Sequence, residues 1–401
     1  MQYKDRSNVY GAEINIARRS VAHMTIGPSN ALASSHQNER ERILTAAKRL
    51  DGLDCLRGVA ALFVALFHFT TFYVLQRGRH NSDLLVPMPY GFLGVDLFFI
   101  LSGFVALLTT ERCKSLQAFA KARTLRLWPT FLTCLSFTIL LTWLMEDATP
   151  TFTQLIANVT MLPVFFGKSP IDGSYWTLGC EVVFYGLAGL SLVHFKMKAE
   201  YFCTCWLVAG IFCNTIGTTA VSGKVLYVVE PHFAPLFVLG IMANRMFFKK
   251  AGLLSWSVTL LALASIATQP VHWGHMLQIG IGEYLGMVCV ALLVVYLAAA
   301  NSQRVADCSA LLWCGRVSYP FYLMHQSVGL SFIASLERFG LNANVAIIVS
   351  LSILLFVSKL VVRFVDQPVL RYFHQGHHSW FLAHIPPIRI WTRHKSINVI
   401  E

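Results

Sequence analysis

Apolar positions in this chain come in long unbroken blocks, not in the alternation of a half-buried strand. The blocks are close to the ~20 residues that an α-helix needs to cross a bilayer. They fall near residues 53–75, 91–110, 128–146, 176–195, 201–219, 232–248, 253–269, 277–300, 317–336 and 343–364. The pattern predicts an all-α polytopic membrane protein, a bundle of about ten transmembrane helices. The block 201–219 is interrupted by Asn214 and Gly217. The stretch 152–166 is apolar but short, and Pro163 breaks it, so it reads as an interfacial or re-entrant segment in a long loop.

Composition agrees with the pattern. Of 401 residues, 55% are hydrophobic and 13% charged, with a mean hydropathy of +0.57. A soluble domain carries about 25% charged residues. The net charge of +12 is no nucleic-acid signal, because the cations flank apolar blocks and form no stripe. With the amino terminus inside, the inner loops hold the cations of 112–126, 196–198, 245–250 and 304–316. The outer loops hold only Arg77, Arg79, Lys168, Lys224 and Arg338. That bias, with an even number of spans, predicts both termini in the cytoplasm. Residues 1–50 read as a polar cytoplasmic extension, partly disordered, in which 38–50 forms an amphipathic helix on the membrane surface or a solvated one. Residues 51–372 form the membrane domain and 373–401 a cytoplasmic tail. The cysteines show no C-x-x-C pair and read as core residues without a structural disulfide. No cleavable signal is visible, so the first long helix is expected to stay as an anchor.

The chemistry lies in the polar residues that these blocks should not contain. His68 interrupts the run 58–75 (GVAALFVALFHFTTFYVL). An imidazole within a spanning helix is costly and marks a functional position facing the bundle interior. Arg57 precedes it by about three helical turns, which puts both side chains on one face, roughly 16 Å apart along the axis. Asp96 and Ser102 lie in YGFLGVDLFFILSGF. Arg123 and Arg126 precede Trp128-Pro129, a spacing of three that presents two guanidiniums on one face, suited to an anionic phosphate group. Trp176 and Glu181 open the fourth block, and Ser318-Tyr319, Tyr322 and His325 the ninth. No G-x-S-x-G, H-E-x-x-H, P-loop or G-x-G-x-x-G occurs. His272 with His275 and His377 with His378 lack acidic or cysteine company at ligand spacing, so no metal site is expected.

In this order the segments resemble the integral-membrane acyltransferase-3 family, which O-acylates sugars and other hydroxylated acceptors. The resemblance covers about residues 51–372. It rests on Arg57 and His68 with ten residues between them, on YGFLGVDLFFILSGF, on Arg123-x-x-Arg126 with aromatic-Pro, on Trp176-Thr-Leu-x-x-Glu181-x-x-Phe-Tyr185, and on Ser318-Tyr-x-x-Tyr322-Leu-x-His325. Asp366-Gln-Pro368 departs from the family's Glu before a basic residue and Pro, but keeps the carboxylate. Cys55 within the first segment is a second departure.

The resemblance implies transfer of an acyl group, acetyl first, from cytoplasmic acyl-CoA. The acceptor would be a carbohydrate or glycoconjugate hydroxyl, as in exopolysaccharide, lipopolysaccharide or a signalling oligosaccharide. Acyl-CoA is then a cosubstrate and there is no bound cofactor. The partners would be the acceptor or a glycolipid form of it, the bilayer, and other components of a glycan biosynthesis system, in a bacterial inner membrane. On this reading His68 takes the acceptor proton, and Arg57, Arg123 and Arg126 hold the donor's phosphates. Asp96 or Glu181 orients the imidazole or positions the acceptor. Ser102, Trp176, Tyr319, Tyr322 and His325 line the site, with Tyr322 and His325 able to donate to the oxyanion. A transient acyl-His68 is an alternative route. The rival from another class is a secondary transporter or exporter with a His68–Asp96–Glu181 proton relay. A third reading is a scaffold whose polar groups only fix helix packing.

Overall fold

In the computed structural model the apolar blocks become helices, several of them with other bounds. It describes residues 51–77, 86–146, 149–217, 220–269 and 277–375. The extension 1–50, most of the tail and the two histidine pairs lie outside the described residues. Among these residues every regular element is helical, and seven helices are long and apolar enough to cross a membrane. They run Asp51–Gln76, Pro89–Arg112, Leu116–Met145, Gly173–His194, Gly223–Phe247, Ile281–Ala300 and Ala343–Arg371.

We label the helices α1 (Asp51–Gln76), α2 (Leu93–Arg112), α3 (Leu116–Glu146), α4 (Phe152–Val159), α5 (Trp176–Ala188) and α6 (Ala199–Thr215). After them come α7 (Gly223–Val229), α8 (Ala234–Phe247), α9 (Leu253–Ala267), α10 (Ile281–Ala300), α11 (Ser302–Asp307), α12 (Ser309–Met324), α13 (Ser327–Arg338) and α14 (Ala343–Val361). The blocks at 201–219 and 253–269 become the shorter helices α6 and α9. The stretch 152–166 becomes α4, capped by Thr151 on the Gln154 amide, followed by a 3-10 turn at Pro163–Phe166. Indole N–H of Trp128 donates to the Val159 carbonyl (3.0 Å), which ties this segment to α3.

Two expected spans change shape. The third begins twelve residues early, at Leu116, because Pro129 lies inside α3 instead of opening it. Arg123 and Arg126 are therefore helical, not part of a loop. The ninth span is not one helix: α12 ends at Met324, α13 starts at Ser327, and His325 and Gln326 form the break. Pro320 inside α12 has no N–H to donate, and the amide of Ser327 is taken by a side chain from elsewhere, Asp172.

Glycine lets the central helices touch backbone to backbone. At Gly103 of α2 a Cβ would run into the Phe237 carbonyl of α8, and at Gly240 of α8 into the Ile100 carbonyl of α2. Small residues of this kind drive close packing where lipid removes the hydrophobic incentive. Asn244 of α8 adds a hydrogen bond to the Phe104 carbonyl (2.8 Å). α1 is held in the same way: a Cβ at Gly315 of α12 would strike the Asp54 carbonyl, and the Phe69 ring lies over Gly329 of α13. The helix carrying His68 is thus enclosed by α2, α12 and α13.

Candidate functional site

α1 changes pitch at its histidine. Residues His68–Phe72 form a π-helical turn, a feature that collects at functional positions because it re-aims side chains. His68 is 9% exposed, with Phe67 and Phe72 edge-on to its ring at 5.2 and 5.1 Å. Its Nδ1 lies 2.9 Å from the Val64 carbonyl and 3.3 Å from Nε2 of His325. His325 is fully buried, and its own Nδ1 lies 2.6 Å from the Tyr322 carbonyl.

A carbonyl only accepts, so these contacts assign the hydrogens. His325 carries its hydrogen on Nδ1 and offers the Nε2 lone pair. His68 carries its hydrogen on Nδ1 and shares it between Val64 and His325. Nε2 of His68 then holds a lone pair and has no hydrogen-bond partner among the described residues. That atom can take a proton from a hydroxyl brought against it.

Behind His325 the polar groups are all engaged. The Tyr322 hydroxyl lies 2.9 Å from Thr177 Oγ1, which donates to the Ser174 carbonyl (2.9 Å). Tyr322 therefore donates to Thr177, and neither it nor His325 Nδ1 has a hydrogen left for an oxyanion. The fully buried carboxylate of Asp172 accepts from Ser174 and Ser327. Sequence reasoning missed Asp172. Its local signal was the turn-forming Asp172-Gly173-Ser174, but nothing in the sequence connects it to Ser327.

A second group lies along α2, α3 and α5. Glu181 accepts from Ser102 Oγ at 2.6 Å and from the Tyr185 hydroxyl at 2.5 Å. Arg123, 8% exposed, donates to Thr109 Oγ1 (2.7 Å) and to the Tyr185 hydroxyl (3.4 Å), with its guanidinium 4.3 Å from the Tyr185 ring centroid. Arg126, one turn further, is exposed and makes no hydrogen bond among the described residues. Arg57 pairs with Asp54 at 2.7 Å. Tyr319 donates to the Leu127 carbonyl (3.1 Å) and docks α12 on α3. Thr130 of α3 lies 3.4 Å from Asp366, so the departing Asp366-Gln-Pro368 segment still turns its carboxylate toward α3.

The sequence-derived residues thus separate. His68, His325 and Tyr322 come together. Glu181, Ser102 and Arg123 form another chain, through Tyr185. Asp96 stands apart and accepts from the Tyr284 hydroxyl of α10 at 3.0 Å. Trp176 packs against Phe233 and Phe99, with centroids at 5.0 and 6.2 Å. Neither Asp96 nor Glu181 hydrogen-bonds His68 among the described residues; the histidine's side-chain partner is His325. No three His, Cys, Asp or Glu side chains among the described residues group to hold a metal ion.

Comparison with known proteins gives these groups a family. The profile of the acyltransferase-3 family, described as an acyltransferase domain, matches residues 50–363. An O-acetyl transferase of Shigella phage Sf6 is 25% identical over 222 residues, 51% of this chain and 64% of the phage protein. The chain therefore spans just under two thirds of that relative's length. Acyltransferase MdmB of Streptomyces mycarofaciens is 27% identical over 308 residues, 69% of this chain and 78% of that protein. No solved structure matches. The family match takes in α1 through α14, with His68, His325 and the three arginines inside it, and the chain belongs to the acyltransferase-3 family of multi-pass membrane acyltransferases.

Proposed function

We propose that the protein transfers an acyl group, acetyl in the simplest case, from cytoplasmic acyl-CoA to a hydroxyl of a carbohydrate or glycoconjugate. The observation that carries this reading is the His68–His325 pair, which leaves one imidazole lone pair without a hydrogen-bond partner among the described residues of the helix bundle. The names of the two relatives, an O-acetyl transferase and an acyltransferase, support the reaction class. The protein sits in a bacterial inner membrane, and the bias of basic residues puts the Arg57, Arg123 and Arg126 end on the cytoplasmic side, facing the donor.

The steps follow from the hydrogen positions. The acceptor hydroxyl rests on Nε2 of His68 and attacks the thioester carbonyl as Nε2 takes its proton. The imidazolium keeps its Nδ1 hydrogen on the Val64 carbonyl and on His325 Nε2, which spreads the new charge without a carboxylate contact. Collapse of the tetrahedral adduct breaks the carbon–sulfur bond. The departing thiolate recovers the proton from Nε2, leaving an ester and free coenzyme A. Arg126 is the cation best placed to take a donor phosphate, since it is exposed and makes no hydrogen bond among the described residues. Arg123 is already engaged by Thr109 and Tyr185, and supports the same end from beneath.

The acceptor class is tested in cells. Surface glycans from deletion, wild-type and His68→Ala strains, with matched membrane levels of the two proteins, are compared by NMR. O-acetyl signals should vanish in the deletion and return with the wild type but not with His68→Ala. Full restoration by His68→Ala would remove His68 from the chemistry. Unchanged glycans in every strain would move the acceptor outside this class.

A further inference from the structure

Asp172 is a buried carboxylate that none of these steps uses. Its Oδ1 accepts from the Ser174 amide (2.8 Å) and the Ser174 hydroxyl (2.6 Å), and its Oδ2 accepts from the Ser327 amide (2.9 Å). The first two bonds are a local turn that starts α5. The third crosses 155 positions to the first residue of α13. That amide has no carbonyl below it, because the helix is interrupted at His325 and Gln326, so Asp172 acts as its N-cap from another part of the chain.

The opposite side of the break is held by the same group. The Ser174 hydroxyl that donates to Asp172 also lies 3.4 Å from the Tyr322 carbonyl, which accepts the Nδ1 hydrogen of His325. The Gln326 side chain lies over Gly173, where a Cβ would collide with it. Both ends of the two-residue break thus rest on residues 172–174, and His325 sits between them.

We propose that Asp172 is a positioning residue for the acyl transfer argued above: it fixes the α12–α13 break so that His325 Nε2 stays within hydrogen-bond reach of His68 Nδ1. The kinetic part rests on that reading; the part concerning the imidazoles does not. Asparagine cannot replace the carboxylate, because Asp172 accepts on both oxygens and an amide would turn N–H groups toward donors.

The test uses the full chain in bilayer nanodiscs, with Asp172→Asn, His325→Ala and the double variant. Asp172→Asn should lower kcat by about tenfold or more and leave KM for acyl-CoA and acceptor within about twofold. In the His325→Ala background the same change should cost less than about twofold, because its effect passes through His325. Nitrogen-15 NMR of histidine-labelled protein should show both imidazoles with hydrogen on Nδ1 in the wild type, and a tautomer mixture in Asp172→Asn. Should Asp172→Asn fail to accumulate, Ser174→Ala removes the 2.6 Å bond and keeps the Ser327 cap, and should shift kcat and the imidazole signals in the same direction by less. Losses that multiply in the double variant, or variants with wild-type kcat and wild-type imidazole signals, would overturn the proposal. Wild-type protein without acceptor-dependent thiol release would sink the acyl transfer alone; the imidazole comparison would still decide what Asp172 does.

Discussion

His68 and His325 stand 257 positions apart and share one hydrogen. If His68 is the base, His68→Ala should cut kcat by about 10²–10⁴-fold, the usual contribution of a positioned general base, with protein level unchanged. A loss under about threefold, read from initial rates at saturating substrates, would contradict the assignment. The arginines should divide by their surroundings. Arg126 is exposed and makes no hydrogen bond among the described residues, so Arg126→Ala should raise KM for acyl-CoA by about 10-fold or more, the worth of a hydrogen bond to a charged group, and change stability little. Arg123 is buried against Tyr185 and Thr109, so Arg123→Ala should also lower the amount of folded protein, measured by fluorescence-detected size exclusion. At this scale the sequence was informative about which ionisable residues the helices bury and silent about which ones meet. His68, Asp96, Glu181 and His325 all announce themselves as ionisable groups in apolar blocks. That signal reports the cost of burial and says nothing about the partner. Asp96 meets Tyr284 and Glu181 meets Ser102 and Tyr185, so the support expected from a carboxylate comes instead from a second histidine.

The helices show the same division. Block length located the seven long helices, because bilayer thickness sets it, but three of the ten blocks gave shorter or broken helices, and shape within a span depends on distant contacts. Pro129 resembles a helix start and lies inside α3. The break at His325 needs Asp172, which no window around residue 325 contains. Packing between elements gives a sharp contrast in the glycines. Gly103 and Gly240 each face a carbonyl of the neighbouring helix, which cannot rotate away as a side chain can. Gly103→Leu should therefore destabilise the α2–α8 pair by about 3 kcal/mol or more, the upper range for overpacking. A Cβ at Gly186 of α5 meets nothing within 4 Å. Gly186→Ala should be neutral or stabilising, by up to about 1 kcal/mol from helix propensity. Thermal unfolding in detergent ranks the two, and equal melting temperatures would show that the α2–α8 contact is looser than described.

For the whole molecule, the distribution of basic loops and the position of the histidine pair make a joint statement about sides. Cys308, exposed between α11 and α12 and close to Arg304 and Arg316, belongs to an inner loop on this topology. A membrane-impermeant maleimide should label it only after the cells are opened; labelling in intact spheroplasts would invert the topology and put the arginines on the wrong side for a cytoplasmic donor. The most direct test of acyl transfer through the histidine pair is release of free coenzyme A from acetyl-CoA by the purified protein in nanodiscs, with and without a candidate glycan acceptor. Wild type, His68→Ala and His325→Ala are compared at equal folded amounts. Acyl transfer predicts release that depends on acceptor in the wild type, is nearly abolished in His68→Ala and is reduced in His325→Ala. Undiminished release in His68→Ala, or ion-gradient-driven uptake of the glycan without any release, would contradict it.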